Sequence, residues 1–211
     1  MKRNYSKELD KVMETLRREG KRPTLLLHAC CAPCSSAVLE QLTEQFQVSV
    51  LFFNPNISPK TEFNKREDEL ERLIREMPAV RDTKMIRTAY EPSAFFEAVR
   101  GMEDIPEGGE RCFVCYRLRL EAAAQYAKEH GFDYFATTLT ISPLKNAAKL
   151  NEIGEELALQ YGVMHLPSDF KKKDGYKRSI TLSKKYDLYR QDFCGCVFSK
   201  MEREMKNGSD T

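Results

Sequence analysis

Four short runs of strand character, residues 24–29, 48–53, 83–87 and 132–137, alternate along this chain with longer stretches of helical periodicity. That alternation constrains the fold more than any other feature, because successive strand–helix–strand units close into right-handed crossovers. The result is a mostly parallel, doubly wound sheet with helices on both faces. Strands buried on both faces read as unbroken apolar runs, and Leu25-Leu26-Leu27 is such a run. Helices are expected over 5–18, 33–46, 61–76, 92–100, 117–130, 143–161 and 183–190. The first is typical, with Leu9, Val12, Met13 and Leu16 set among charges. Residues 1–211 read as a single α/β domain. Within it, 165–211 is expected to be a basic, Cys-x-Cys-bearing lobe packed on a metal site.

Open parallel sheets bind ligands beyond the carboxyl ends of their strands, at the point where strand order reverses. Three of the runs end in polar or thiol groups: Cys30-Cys31 after the first, Asn54-Pro55-Asn56 after the second, and Thr137-Thr138 after 132–137. This is the layout of an active site. No apolar run approaches the roughly 20 residues of a membrane span. The first twenty residues are too polar and charged for a signal or transit peptide, so the expected compartment is the cytoplasm.

All seven cysteines fall in three groups: Cys30, Cys31 and Cys34; Cys112 and Cys115; Cys194 and Cys196. In a reducing compartment, thiols grouped in this way point to metal or redox chemistry rather than disulfides. Three chemistries are open. Zinc would use two Cys-x-x-Cys pairs, Cys31/Cys34 and Cys112/Cys115, and leave Cys30, Cys194 and Cys196 over. A cubane iron–sulfur cluster takes four thiolates from separate segments, so seven exceed one cluster and fall short of two. Thiol–disulfide exchange needs only one Cys-x-x-Cys at a helix start and leaves the other groups unexplained.

Net charge is only +2, yet between His165 and Arg190 eight Lys or Arg face three Asp. The densest part, Lys171, Lys172, Lys173, Lys177 and Arg178 around Tyr176, reads either as a solvated loop or as a phosphate-contacting segment. His28 reads as a core histidine, Asn54 and Asn56 as a turn or a substrate contact, and Arg117 and Arg119 as surface charges after a Cys pair. Tyr189, Arg190 and Asp192 precede Cys194, where a carboxylate serves as a metal ligand, a proton donor or a local ion-pair partner. No Gly-rich phosphate loop follows the first strand, which disfavours adenylation chemistry.

Six motifs in order resemble one family. They are His28-Ala29-Cys30-Cys31-Ala32-Pro33-Cys34-Ser35; Asn54-Pro55-Asn56-Ile57; Arg111-Cys112-Phe113-Val114-Cys115-Tyr116 through Arg119-Leu120; Thr137-Thr138-Leu139 with Ile141-Ser142-Pro143; Asp169-Phe170 with Gly175-Tyr176; and Tyr189-Arg190-Gln191 with Cys194-Gly195-Cys196. Together these resemble the cobalamin-independent epoxyqueuosine reductases of the QueH type. The resemblance implies a Rossmann-like sheet of the adenine-nucleotide hydrolase (HUP-like) kind, a [4Fe-4S] cluster and an adjacent mononuclear iron. It implies reductive removal of the epoxide oxygen of epoxyqueuosine in tRNA, with the anticodon loop and an electron donor as partners. On that reading the cluster is drawn from Cys31, Cys112, Cys115 and the Cys194/Cys196 turn. The remaining thiols, with Asp169 or Asp192, hold the extra iron.

Asp169, Asp192 and Tyr189 are then the candidate catalytic residues. Asn54, Asn56, Arg117, Lys171, Lys172, Lys173, Tyr176, Lys177 and Arg178 are the candidate contacts to substrate and tRNA. The chain departs from the family pattern at Leu144-Lys145, where a tyrosine and a glutamine are expected after Ser142-Pro143. That difference bears on a substrate contact rather than on the metal chemistry. A zinc-stabilised RNA-binding module without catalysis, or a thiol–disulfide oxidoreductase, are the competing functional classes.

Overall fold

The computed structural model describes residues 3–208. Five strands, β1 (Thr24–His28), β2 (Gln47–Phe52), β3 (Lys84–Arg87), β4 (Tyr134–Thr137) and β5 (Met164–His165), form one sheet in the order β3-β2-β1-β4-β5. Every pairing is parallel. The helices are α1 (Tyr5–Glu19), α2 (Ala32–Leu42), α3 (Lys60–Glu76), α4 (Ser93–Ala98), α5 (Glu110–Glu129), α6 (Ala147–Tyr161), α7 (Gly175–Lys185) and α8 (Val197–Gly208). No helix of the described residues is long and apolar enough to cross a membrane.

The period-two alternation of a strand assigns the two faces. Leu25 and Leu27 of β1, with Val48, Val50 and Phe52 of β2, join one apolar cluster with residues of α1, α2, α3 and α7. Leu26 and Leu51 point the other way, into a cluster with α5 and α6. Leu25, Leu26 and Leu27 are all fully buried, as a strand covered on both faces must be. The sheet is thus doubly wound. From β1 the chain moves outward to β2 and β3, then returns to place β4 on the other side of β1. The reversal therefore lies between the carboxyl ends of β1 and β4.

One expected helix is displaced. The chain is helical over Gly175–Lys185, not over 183–190, so Lys177 and Arg178 stand on a helix rather than in a loop. The cause is the composition of the packed face. Ser179, Leu182 and Ser183 are its buried residues, and the Ser183 hydroxyl donates to the Ser179 carbonyl at 2.6 Å. A single apolar residue gives little periodicity to detect. Leu188 and Tyr189, inside the expected span, lie in the segment that follows the helix. Two elements had no expected counterpart: the two-residue edge strand β5 and the terminal helix α8.

Candidate metal centre

Beyond β1 the chain enters α2 through Cys31, whose extended backbone makes it the N-cap, with Pro33 in the first turn. Cys30, Cys31 and Cys34 are brought together by this one turn. The Cys30 and Cys31 sulfurs lie 3.9 Å apart, and the three sulfurs are mutually within 4.8 Å. Hydrogen bonds from Cys31 and Cys34 hold the Cys30 thiol well below its ordinary range. The same bonds push Cys31 up to about 12 and Cys34 well above the thiol range.

The other four thiols form a second group. Cys112 and Cys115 are one turn apart at the start of α5, which begins earlier than its periodicity suggests. Cys115 and Cys196 share an apolar cluster with Phe95 and Val99. Burial pushes Cys115 up to about 12 and raises Cys112 and Cys196, and the charges of Cys194 and Cys196 act on both α5 thiols. All seven cysteines are free. Cys31, expected with the α5 pair, stands with Cys30 and Cys34 because it shares their turn.

The Cys194–Cys196 turn is clamped from below. Gly195 has φ 119°, and a Cβ there would stand 2.9 Å from Arg66 Nη1 and 3.1 Å from Ile57 Cγ1. Its carbonyl accepts from the Ser58 amide at 2.9 Å. Arg66, on α3, has a fully buried side chain; it donates to the Cys194 carbonyl at 3.0 Å and pairs with Glu62 at 2.6 Å. The Tyr189 hydroxyl donates to both Glu62 oxygens at 3.1 Å. Burial alone would lower Arg66, but Cys31, Glu62 and Cys30 outweigh it and hold the guanidinium above its usual range.

Two more cations face the thiols. Arg119, expected as a surface charge, is 1% exposed because its place one turn after Cys115 turns it into the site. Its Nε donates to the Cys115 carbonyl at 3.2 Å, while its Nη2 has no partner. Lys145, in the loop after β4, donates to the Cys194 sulfur at 3.0 Å. Nothing in the spacing marked Arg66; Lys145 stands where the chain departs from the family pattern, a difference expected to bear on a substrate contact, but its ammonium lies against a thiol instead. The i,i+4 relation of Cys115 and Arg119 was a usable signal.

The buried histidine and asparagines support the strand ends. His28 Nε2 faces the Phe53 carbonyl at 3.1 Å and so carries the proton, leaving Nδ1 to accept from the Thr137 hydroxyl at 2.9 Å. Burial lowers His28 to about 4. Asn54 donates to the Ala29 carbonyl at 2.8 Å. Asn56 is 1% exposed, and neither its oxygen nor its nitrogen has a partner.

A cleft of about 570 Å³ opens over the thiols, with Cys30, Cys34, Lys145, Tyr176, Asp192 and Cys194 among its lining residues. Asp169 is not among them; its carboxylate holds Lys171 at 2.6 Å. Arg203 lies 3.6 Å from Asp192. Of the basic residues, Lys173 pairs with Asp10, Arg178 with Glu40 and Arg117 with Glu156.

The model of the family "Epoxyqueuosine reductase QueH" matches residues 25–202. The epoxyqueuosine reductase QueH of Staphylococcus epidermidis is 44% identical over 204 residues, covering 95% of this chain and 86% of the relative. That of Streptococcus pyogenes is 42% identical over 198 residues, with coverage of 93% and 78%. That of Thermotoga maritima is 37% identical over 192 residues, with coverage of 87% and 94%.

Proposed function

The chain belongs to the epoxyqueuosine reductase QueH family, and on that premise we propose that it reduces epoxyqueuosine in tRNA to queuosine at its two thiol groups. The observation that carries this reading is the convergence of the Cys30, Cys31 and Cys34 sulfurs beside a cleft that Cys194 also lines. A single ion with thiolate bonds of about 2.3 Å in tetrahedral array needs sulfurs about 3.8 Å apart. Cys30, Cys31 and Cys34, with 3.9 Å between the first two and all within 4.8 Å, fit one iron. No three of Cys112, Cys115, Cys194 and Cys196 are that close among the described residues. Four thiolates with wider separation suit a [4Fe-4S] cluster, in which each binds a different iron.

Removing the epoxide oxygen takes two electrons and two protons and leaves an alkene and water. When bound, a cluster on Cys112, Cys115, Cys194 and Cys196 would supply electrons one at a time, and an iron on Cys30, Cys31 and Cys34 would supply Lewis acidity. The chain positions everything else. The cleft is large enough to enclose a modified base splayed from the anticodon loop. Tyr176 at its rim is placed to stack on that base. Asp192, exposed at the mouth, passes protons inward from solvent. Tyr189 acts through Glu62 and Arg66 to fix the Cys194–Cys196 turn, and Asn54 and Asn56 support the ends of β1 and β2. Asp169 orients Lys171, and Lys172 and Lys177 face tRNA phosphates. Unpaired thiols and a tRNA substrate are consistent with the cytoplasm.

The test is anaerobic. Protein, epoxyqueuosine-bearing tRNA and a chemical reductant are expected to yield a nucleoside lighter by one oxygen. Cys34→Ala should lose iron but keep acid-labile sulfide, whereas Cys115→Ala should lose the sulfide. Stoichiometric zinc without sulfide would instead favour an RNA-binding module.

A further inference from the structure

The thiols meet three cations, and each is held in a different way. Lys145 Nζ lies 3.0 Å from the Cys194 sulfur, a charge-assisted hydrogen bond to a ligand atom. Arg119 is 1% exposed, spends one nitrogen on a backbone carbonyl and leaves Nη2 without a partner. Arg66 approaches the same turn from below through the Cys194 carbonyl at 3.0 Å. Burying cations in an apolar core is costly unless anions oppose them. Among the described residues carboxylates oppose Arg66 alone, through Glu62; Arg119 has a carbonyl partner, and Lys145 a sulfur and, 6.0 Å away, the Tyr116 ring. As thiolates, the sulfurs are the counter-charge, and they act on all three cations: Cys115, Cys194 and Cys30 on Arg119, Cys194 on Lys145, Cys31 and Cys30 on Arg66.

A cubane on four thiolates is a dianion and becomes a trianion when it takes one electron. A fixed cation beside it favours the trianion, and a hydrogen bond to a ligand sulfur acts in the same sense. We propose that Lys145, backed by Arg119 and Arg66, sets the reduction potential of the centre on Cys112, Cys115, Cys194 and Cys196. Lys145 is the adjustable member. It is the one whose charge touches a ligand sulfur directly, and it sits on a loop, between Ser142 and the N-cap Asn146 of α6, rather than in a helix. It is a tuning residue, acting through the sulfur. Its removal leaves all seven thiols in place.

This inference rests on the cluster assignment proposed above, so the experiment must separate the two. Wild type, Lys145→Met and Lys145→Arg are loaded anaerobically with iron and sulfide, analysed for both, and titrated against a chemical reductant. Reduction is followed by electron paramagnetic resonance. Lys145→Met should keep wild-type iron and sulfide. At a fixed potential its ratio of reduced to oxidised centre should fall about tenfold, a shift of about 59 mV to lower potential for a one-electron couple. Lys145→Arg should restore most of the wild-type value. A loaded Lys145→Met with an unmoved midpoint overturns the inference and leaves the cluster assignment standing. If Lys145→Met loads poorly, Lys145→Arg decides: a wild-type content with a midpoint near wild type supports the charge, and a midpoint as low as that of a neutral Lys145→Gln variant overturns it. Wild type that takes up zinc and no sulfide overturns both.

Discussion

Gly195→Ala tests the clamp beneath the Cys194–Cys196 turn. Two costs add. At φ 119° the backbone lies where side chains rarely go, worth about 1–3 kcal/mol. The new Cβ would also stand 2.9 Å from Arg66 Nη1, closer than a side-chain carbon tolerates. Arg66 has no free direction, because its side chain is fully buried between Glu62 at 2.6 Å and the Cys194 carbonyl at 3.0 Å. Yielding means weakening a hydrogen bond to a charged group, worth about 1.5–3 kcal/mol. Together they come to about 2.5–6 kcal/mol, a large part of the roughly 5–15 kcal/mol that holds a domain folded. With a urea slope of about 2–3 kcal/mol/M, the midpoint should drop by about 1–3 M. The control is Gly162→Ala, at φ 68° with nothing nearer its Cβ than Lys128 Nζ at 3.8 Å, where only about 1 kcal/mol is expected. Unfolding is followed by circular dichroism at matched iron content. Equal losses in the two variants would refute the clamp, since strain from positive φ alone would then account for both.

Two further outcomes follow from charge. His28, fully buried and lowered by burial to about 4, stays neutral in the fold while an unfolded chain takes up a proton near 6.5. Between those values the unfolded state binds more protons, so stability rises with pH there. Acidification from pH 7 to 4 should therefore remove about 3 kcal/mol through this residue. A denaturation midpoint flat across that range would contradict it. On the tRNA side, Lys172 and Lys177 have no ion-pair partner among the described residues, whereas Lys171, Lys173 and Arg178 have carboxylates. Neutralising Lys172 and Lys177 with glutamine should weaken tRNA binding and flatten its salt dependence by about 0.7 in log–log slope per lost phosphate contact. Affinities unchanged at several salt concentrations would remove this surface from the interface.

Where the sequence was legible, one physical signal dominated. Leu25-Leu26-Leu27 is buried on both faces, and such a run has few alternatives to a central parallel strand. The thiol groups were legible for a similar reason, since a reducing compartment leaves clustered cysteines little else to do. α7 was misplaced because serines rather than apolar residues fill its packed face. β5 is two residues long, too short for any period. Arg119 looked like surface charge and Arg66 drew no notice, because composition cannot say which face of a helix turns inward. For Arg66 the deciding partner is a carbonyl 128 residues away, a relation only the fold creates.

The order in which the chain supplies its thiols has a structural consequence. The first three lie on one turn beyond β1, so the folding of β1 and α2 alone brings them together. The other four depend on closing the last segment over the start of α5, and the contacts that close it are specific. Arg111, 2% exposed, donates to the Glu103 carbonyl at 2.6 Å and pairs with Glu202 of α8 at 3.0 Å, and Glu202 also accepts from the Glu107 amide. Arg66 of α3 and Ser58 of the loop before it fasten the same segment from the other side. A three-thiol site built locally and a four-thiol site built by closure differ in how they respond to damage. Loosening α8 should open the second while leaving the first intact, because the hydrogen bonds described for the Cys30–Cys34 turn stay within it and α2.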